Sequence, residues 1–341
     1  MFKNEVMLLL LIVLSAVSYL GTCVVMRSAE KRGLLDRPNE RSSHVCPTPR
    51  GGGLAIVVAF LFGCIGVWLL GFISETLFIS LFLSSSLVAG IGFIDDHGHV
   101  SAKIRLLMQL LAVVILGLGI GWPYGLGGTS PTMFYILVLT ASVGGVWIIN
   151  LVNFMDGIDG LVAAQMLLFA LMMGSYAWFV YDLNSFVILC LITVSAIMGF
   201  LTLNFPPAKV FMGDVGSGFL GVIAVAFLLL AWHEEFRLFV AALILLGVLV
   251  VDSTFTLVRR LISGQNVFQA HRLHAYQKLS IVLNSHKKVT LGMSGFNFLW
   301  LYPLGWLVIQ TELNCYIAVA LAYIPLIFLA LFLRAGELDK I

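Results

Sequence analysis

Long apolar runs separated by short polar connections dominate this chain from end to end. A bilayer core of about 30 Å is crossed by a helix of about 20 apolar residues. Measured against that length, the pattern predicts eleven spanning helices, near residues 6–26, 53–73, 76–94, 104–121, 131–152, 160–181, 184–203, 215–233, 236–257, 290–310 and 313–333. The shortest connections are Phe72 to Glu75 and Tyr181 to Asn184. The first run, Val6 to Met26, exceeds the roughly 7 to 15 residues of a signal-peptide core and leads into a basic loop, so it is expected to remain as a span. No internal repeat interrupts the series. Residues 1–341 are therefore expected to form a single integral membrane domain, an all-α polytopic helical bundle.

Composition sharpens this picture by exclusion. The 341 residues are 60% hydrophobic and 11% charged, with a mean hydropathy of +1.05, whereas a soluble chain carries about 25% charged residues. A cytosolic enzyme, a secreted disulfide scaffold and a disordered tail protein are all excluded. The net charge of +2 comes with no polybasic tract, so no nucleic-acid partner is expected. The five cysteines, at 23, 46, 64, 190 and 315, form no CxxC pair and read as small packing residues.

Lysine and arginine set the expected orientation, because they stay on the cytoplasmic side during insertion. With eleven spans and the N-terminus outside, all of the 19 basic residues except Lys3 and Arg237 fall on the cytoplasmic side, and the C-terminus is cytoplasmic. Asp95, Asp96, Asp156, Asp159 and Asp214 then converge at or just inside the cytoplasmic helix ends. An ionisable group near the bilayer interior costs about 2.5 to 3.5 kcal/mol even on a lenient insertion scale, which makes such a convergence a functional signal.

Four segments carry the candidate chemistry. In GFIDDHGHVSAKIR, Asp95 and Asp96 are adjacent, and neighbouring carboxylates ionise together only with a cation or proton between them; Lys103 and Arg105 follow closely. In NFMDGIDGL, Asp156 and Asp159 stand three apart with Asn153 one turn earlier, and the glycines permit close backbone approach to a ligand. In NFPPAKVFMGDVGSG, paired prolines break a helix and Asp214 sits among glycines at the next helix start, where backbone N–H groups hold phosphate. Asn204 and Phe211 lie in that loop and could meet a base ring. In QNVFQAHRLHAYQKL, Arg272 and His274, with His271 nearby, place cationic donors on the same side.

These four motifs, in this order and spacing, resemble the polyprenyl-phosphate N-acetylhexosamine-1-phosphate transferases, glycosyltransferase family 4. RPNERSSHVCPTPRGGG, after the first helix, is similar to the family's first cytoplasmic loop, and the resemblance runs from about Asp36 to Lys278. It implies a glycosyl-1-phosphate transferase of the bacterial inner membrane that moves a sugar 1-phosphate from a UDP-N-acetylamino sugar to undecaprenyl phosphate, releases UMP and requires magnesium (or manganese). It further implies Asp214 as the metal ligand, Asp95 and Asp96 as the catalytic pair, and Asn153, Asp156 and Asp159 along the nucleotide and diphosphate site. Asn204 and Phe211 would hold uridine, and Arg272 with His274 the diphosphate, with Lys103 and Arg105 as further substrate contacts; a homodimer is compatible. Where lipid I enzymes carry three consecutive histidines, this chain reads HRLHAYQ, with Tyr276 and Gln277 in place of histidines. That form resembles the O-antigen-initiating branch and leaves the lipid I-forming translocase as the alternative. A secondary transporter would place its acids near the midplane of broken helices, often in two repeats, and neither feature is expected here.

Overall fold

The computed structural model describes residues 2–33, 35–36, 46–98, 100–122, 130–266 and 271–338. Residues 37–45 of the first loop and 267–270 of the last motif, parts of two segments that carry the family resemblance, lie outside them. Each predicted apolar segment is helical over most of its length: α1 (Phe2–Arg32), α2 (Gly53–Leu69), α3 (Glu75–His97), α4 (Ala102–Ile120), α5 (Pro131–Phe154), α6 (Leu161–Phe179), α7 (Asn184–Asn204) and α8 (Asp214–Glu234) follow in order. The rest comprises α9 (Phe236–Leu245), α10 (Gly247–Ile262), α11 (Ala275–Leu283), α12 (His286–Phe296), a π-helical turn (Asn297–Leu301), α13 (Tyr302–Gln310) and α14 (Cys315–Phe332). A two-residue ribbon pairs β1 (Leu35–Asp36) antiparallel with β2 (Thr48–Pro49).

Side chains start several of these helices. Ser74, Ser101 and Ser130 accept from the backbone N–H three residues on, Pro131 occupies the first turn of α5, and Asn314 caps α14. Among the described residues, eight helices are long and apolar enough to cross a bilayer, or nine if α9 and α10 count as one span. Large apolar side chains such as Leu9, Phe62, Leu139, Phe179 and Phe328 point outward, the surface expected where lipid is the solvent. The protein is a polytopic helical membrane protein.

The bundle is organised around α8, in which every residue from Val215 to Ala231 is buried. It packs on α2, α3, α4, α5 and α9, so its N-terminus, Asp214, is held from several sides.

One expected span is broken. The segment 236–257 is two helices, α9 and α10, meeting at 68°. At the break the Leu243 carbonyl accepts the Tyr323 hydroxyl at 2.8 Å, which satisfies a backbone oxygen the bend leaves exposed. A Cβ on Gly247 would lie 3.1 Å from the Tyr323 ring, so glycine permits that approach.

Candidate active site

The chemistry-bearing loops gather at one end of α8. The segment after β2 is strapped to the loop before α8 by three backbone hydrogen bonds: Phe211 N–H donates to Pro49 O (2.8 Å), Gly52 N–H to Phe211 O (2.9 Å) and Gly53 N–H to Met212 O (2.9 Å). The approach is close because both partners are glycine: a Cβ on Gly53 would lie 2.4 Å from the Gly216 Cα. The loop between α5 and α6 is tied to the same assembly. Gly160 N–H donates to Asn204 Oδ1 (3.1 Å), Asn204 Nδ2 donates to Val210 O (2.9 Å), and Ala208 N–H donates to Asp159 Oδ2 (3.0 Å). Together these segments enclose a cleft of about 220 Å³, lined among others by Asp36, Arg50, Asn153, Asp156, Asp159, Asn204, Phe211, Asp214, Gln277 and His286.

Its floor is a nest of carboxylates and arginines. Asp96, 3% exposed, accepts the Asp214 and Val215 backbone N–H groups at 2.9 and 3.0 Å, so a side chain of α3 caps α8 from outside. Gly213 has φ +76°, and a Cβ there would lie 2.6 Å from Asp96 Oδ2. Arg50 bridges the nest, with Nε 2.9 Å from Asp96 Oδ1 and Nη2 3.0 Å from Asp214 Oδ1. Arg105 Nη1 lies 2.6 Å from Asp95 Oδ2 and 3.7 Å from Asp214 Oδ2, and Asn153 Nδ2 donates to Asp214 Oδ1 at 3.1 Å. Asp95 also accepts the Val100 N–H. Arg105 Nη1 thus draws the Asp95 and Asp214 carboxyl groups towards one point, and neighbouring carboxylates need a proton or a cation between them. A smaller hollow of about 20 Å³, lined by Arg105, Gln109 and Asn150, also reaches Asn153 and Asp214.

Asp156 stands apart. It lines the cleft with no side-chain hydrogen bond or ion pair among the described residues, and burial, reinforced by Asp214, Asp96 and Asp159 and opposed by Arg50, pushes its carboxyl up to about 7. Asp159 is committed differently: Oδ1 faces His286 Nδ1 at 3.2 Å, and its backbone carbonyl accepts the Thr290 hydroxyl.

The expected residues thus separate into two groups. Asp95, Asp96, Asn153, Asp156, Asp159, Asn204, Phe211, Asp214 and Arg105 meet at the cleft or the nest beneath it. Lys103 sits exposed on the first turn of α4, and neither Arg272 nor His274 lines the cleft. His274 is buried with Nδ1 3.3 Å from Asp252, which also accepts the Ala275 and Tyr276 N–H groups and so caps α11. Burial, with His274 and Arg260, lowers the His271 ring to about 3, leaving it neutral at ordinary pH. This last motif fixes α11 so that Gln277 lines the cleft and the Tyr276 hydroxyl donates to Phe154 O. A Cβ on Gly157 would meet that hydroxyl at 2.1 Å, so the glycine of the DGxDG segment lets α11 seat.

Sequence reasoning passed over Arg50, Asp252, Asp36 and His286. Arg50 had a legible signal, a basic side chain held between proline and three glycines at a helix entry. Asp252 and His286 are single polar residues in or beside apolar helices and had none.

The donor set suits a hard divalent cation that brings other ligands with it. Among the described residues no three His, Cys, Asp or Glu side chains form a ready-made cage, but Asp95 and Asp214, which share Arg105 Nη1, supply oxygen alone. Magnesium is bound in that way, through one or two carboxylates plus substrate phosphates and water.

Comparison with known proteins identifies the family. The family model described as glycosyl transferase family 4 matches residues 78–233. The chain is 31% identical over 278 residues to the probable undecaprenyl-phosphate N-acetylglucosaminyl 1-phosphate transferase of Bacillus subtilis, covering 79% of this chain and 76% of that protein. It is 30% identical over 311 residues to the decaprenyl-phosphate N-acetylglucosaminephosphotransferase of Mycobacterium tuberculosis, covering 81% and 76%. A phospho-N-acetylmuramoyl-pentapeptide-transferase of Lacticaseibacillus paracasei is 31% identical over 255 residues, covering 67% and 74%. With its helical membrane architecture and its polar cleft at one end of α8, the chain belongs to the polyprenyl-phosphate hexosamine-1-phosphate transferases and is a glycosyl-1-phosphate transferase.

Proposed function

We propose that the protein transfers an N-acetylamino-sugar 1-phosphate from a UDP-sugar to undecaprenyl phosphate, releasing UMP and initiating O-antigen or a related cell-envelope glycan. The observation that carries this reading is the cleft itself, which sets an aromatic side chain, Phe211, at one wall and a carboxylate–arginine nest around Asp214 at its floor. Uracil stacks at Phe211, and the diphosphate lies over Asp214 and Arg50. Asn204 acts by holding the loops that shape the uridine end, since both ends of its amide are used on backbone groups.

Asp214, with Asp95 nearby, would hold magnesium, which would supply charge neutralisation for the diphosphate; phosphoryl transfer depends mainly on such positioning and charge stabilisation. Asp156, unpaired and titrating near neutrality, accepts the proton of a monoprotonated lipid phosphate. Arg105, between Asp95 and the smaller hollow, orients that acceptor phosphate. The isoprenoid tail stays in lipid, so the cleft opens at a membrane surface. The basic-residue pattern supports eleven spans, an outside N-terminus, and a cleft on the cytoplasmic face of the inner membrane, where UDP-sugars are made.

The N-acetylglucosamine-named relatives cover more of the chain than the pentapeptide-transferase relative does, which makes UDP-N-acetylglucosamine the first donor to test. Membranes containing the protein, supplied with magnesium, undecaprenyl phosphate and a panel of radiolabelled UDP-sugars that includes UDP-N-acetylmuramoyl-pentapeptide, should move label into organic solvent from an N-acetylhexosamine donor. Label moved from the pentapeptide donor alone would favour the lipid I reaction instead.

A further inference from the structure

Arg50 is placed by the backbone. The ribbon β1–β2 and the three hydrogen bonds between the 49–53 segment and Phe211 and Met212 fix the backbone on both sides of this residue, and its side chain reaches into the nest. There it joins carboxylates of two different helices, Asp96 on α3 and Asp214 on α8. Asp96 is itself fixed by two N–H groups of α8, so that half of the bridge is rigid. The Asp214 half rests on Oδ1, one of the two carboxylate oxygens Asp214 offers a divalent ion. A guanidinium has five N–H donors in a planar fork; the two ion pairs leave donors unspent, and the side chain is 41% exposed beside the cleft.

We propose that Arg50 is the resident cation of the resting site: it holds Asp214 in the metal-free protein, yields Oδ1 to the divalent ion, and pivots about Asp96 to bind the donor's diphosphate. The metal half stands on the geometry of the nest; the diphosphate half rests on the reading of the cleft as a UDP-sugar site. Two cations do not share one carboxylate oxygen at contact distance without strong repulsion, so arrival of the ion releases the guanidinium. Its tether to Asp96 keeps it within reach of the cleft, where an anionic diphosphate is a bidentate partner. Lysine, a compact point charge, would balance the nest but could not hold Asp96 and a phosphate together.

Two measurements on the purified full chain test this. Manganese binding without donor, followed by electron paramagnetic resonance, should be roughly tenfold or more tighter in Arg50→Met than in the wild type, because a competing unit charge has gone. Arg50→Lys should stay near the wild type. An unchanged or weaker affinity in Arg50→Met would overturn the competition. At saturating metal the KM for UDP-N-acetylglucosamine should rise by about tenfold or more in both variants, with the KM for undecaprenyl phosphate unchanged; an unchanged donor KM would overturn the diphosphate role. If the wild type uses no UDP-sugar, the functional reading fails and the diphosphate half with it, while the manganese result still decides the competition. Should Arg50→Met not fold, Arg50→Gln, also uncharged, carries the same expectations.

Discussion

At the scale of single residues, the cleft divides its carboxylates by what they already hold. Asp96 and Asp159 accept backbone N–H groups and face a cation or a histidine, whereas Asp156 has neither. The carboxyl of Asp156 is raised to about 7 in the folded protein, above the ordinary value near 4 that it has when unfolded. Between those two pH values the folded state keeps a proton that the unfolded state has lost, so stability falls as pH rises towards 7 and levels off above it. Asp156→Asn should therefore raise the melting temperature of the ligand-free protein in detergent at pH 8 and change it much less at pH 5. An equal shift at both pH values would show that Asp156 titrates normally. Phe211 carries a second residue-scale prediction. Stacking on a base is worth about 1 to 3 kcal/mol by alanine substitution in nucleic-acid binders, and the same scale applied here gives a donor KM roughly tenfold to a hundredfold higher in Phe211→Leu, with the lipid KM unmoved. Donor kinetics unchanged in the leucine variant would reduce Phe211 to packing.

At the scale of elements, function depends on helices approaching within backbone contact. Gly92 of α3 faces Asp214: a Cβ there would lie 2.5 Å from the Asp214 carbonyl oxygen, whereas Gly90, on the same helix, has nothing within 4 Å. Gly92→Ala should push α3 from the start of α8, disturb the Asp96 cap and cut transfer by at least tenfold, the cost of a shift of about 1 Å in reactive positioning. Gly90→Ala should leave transfer intact and, by helix propensity, hold or slightly raise thermal stability. Matching losses in both variants would mean that α3 tolerates no alanine and that the Gly92 contact is not special. Most elements were legible from run length alone, because a bilayer demands about 20 apolar residues in each span. The α9–α10 bend was not, since the Tyr323 hydroxyl that satisfies the freed carbonyl lies about 80 residues away. The HRLHAYQ segment shows the same limit: its residue types mark the site, but His274 turns to Asp252, and only packing decides which side chain faces the cleft.

At the scale of the whole molecule, the convergence of Asp95, Asp96, Asp156, Asp159 and Asp214 was legible because charge is costly in lipid and five acids gathered on one side of the basic-residue map. The division of labour among them was not, because it follows from which backbone N–H groups each oxygen finds. The orientation has its own test. Single cysteines replacing Lys209 and Gln265, on an otherwise cysteine-free background, should resist an impermeant thiol reagent in intact cells and react in inverted vesicles. Cysteines at Ser42 and Gly127, both outside the described residues, should behave as cytoplasmic and external positions. Labelling of the Lys209 position from outside would invert the topology and put the cleft on the wrong face for a UDP-sugar.

The central claim, transfer of the sugar together with its phosphate at a cleft built on Asp214, is tested most directly with UDP-N-acetylglucosamine labelled with ³²P in the β-phosphate. Incubated with purified protein, undecaprenyl phosphate and magnesium, the label should pass into the lipid fraction with one UMP released per lipid product. Asp214→Asn, nearly isosteric, should remain folded and lose on the order of 10²-fold or more of the rate, the scale for removing an electrostatic stabiliser at a transferring group. Label retained in water as UDP while the sugar alone reached the lipid, or full activity in Asp214→Asn, would contradict it.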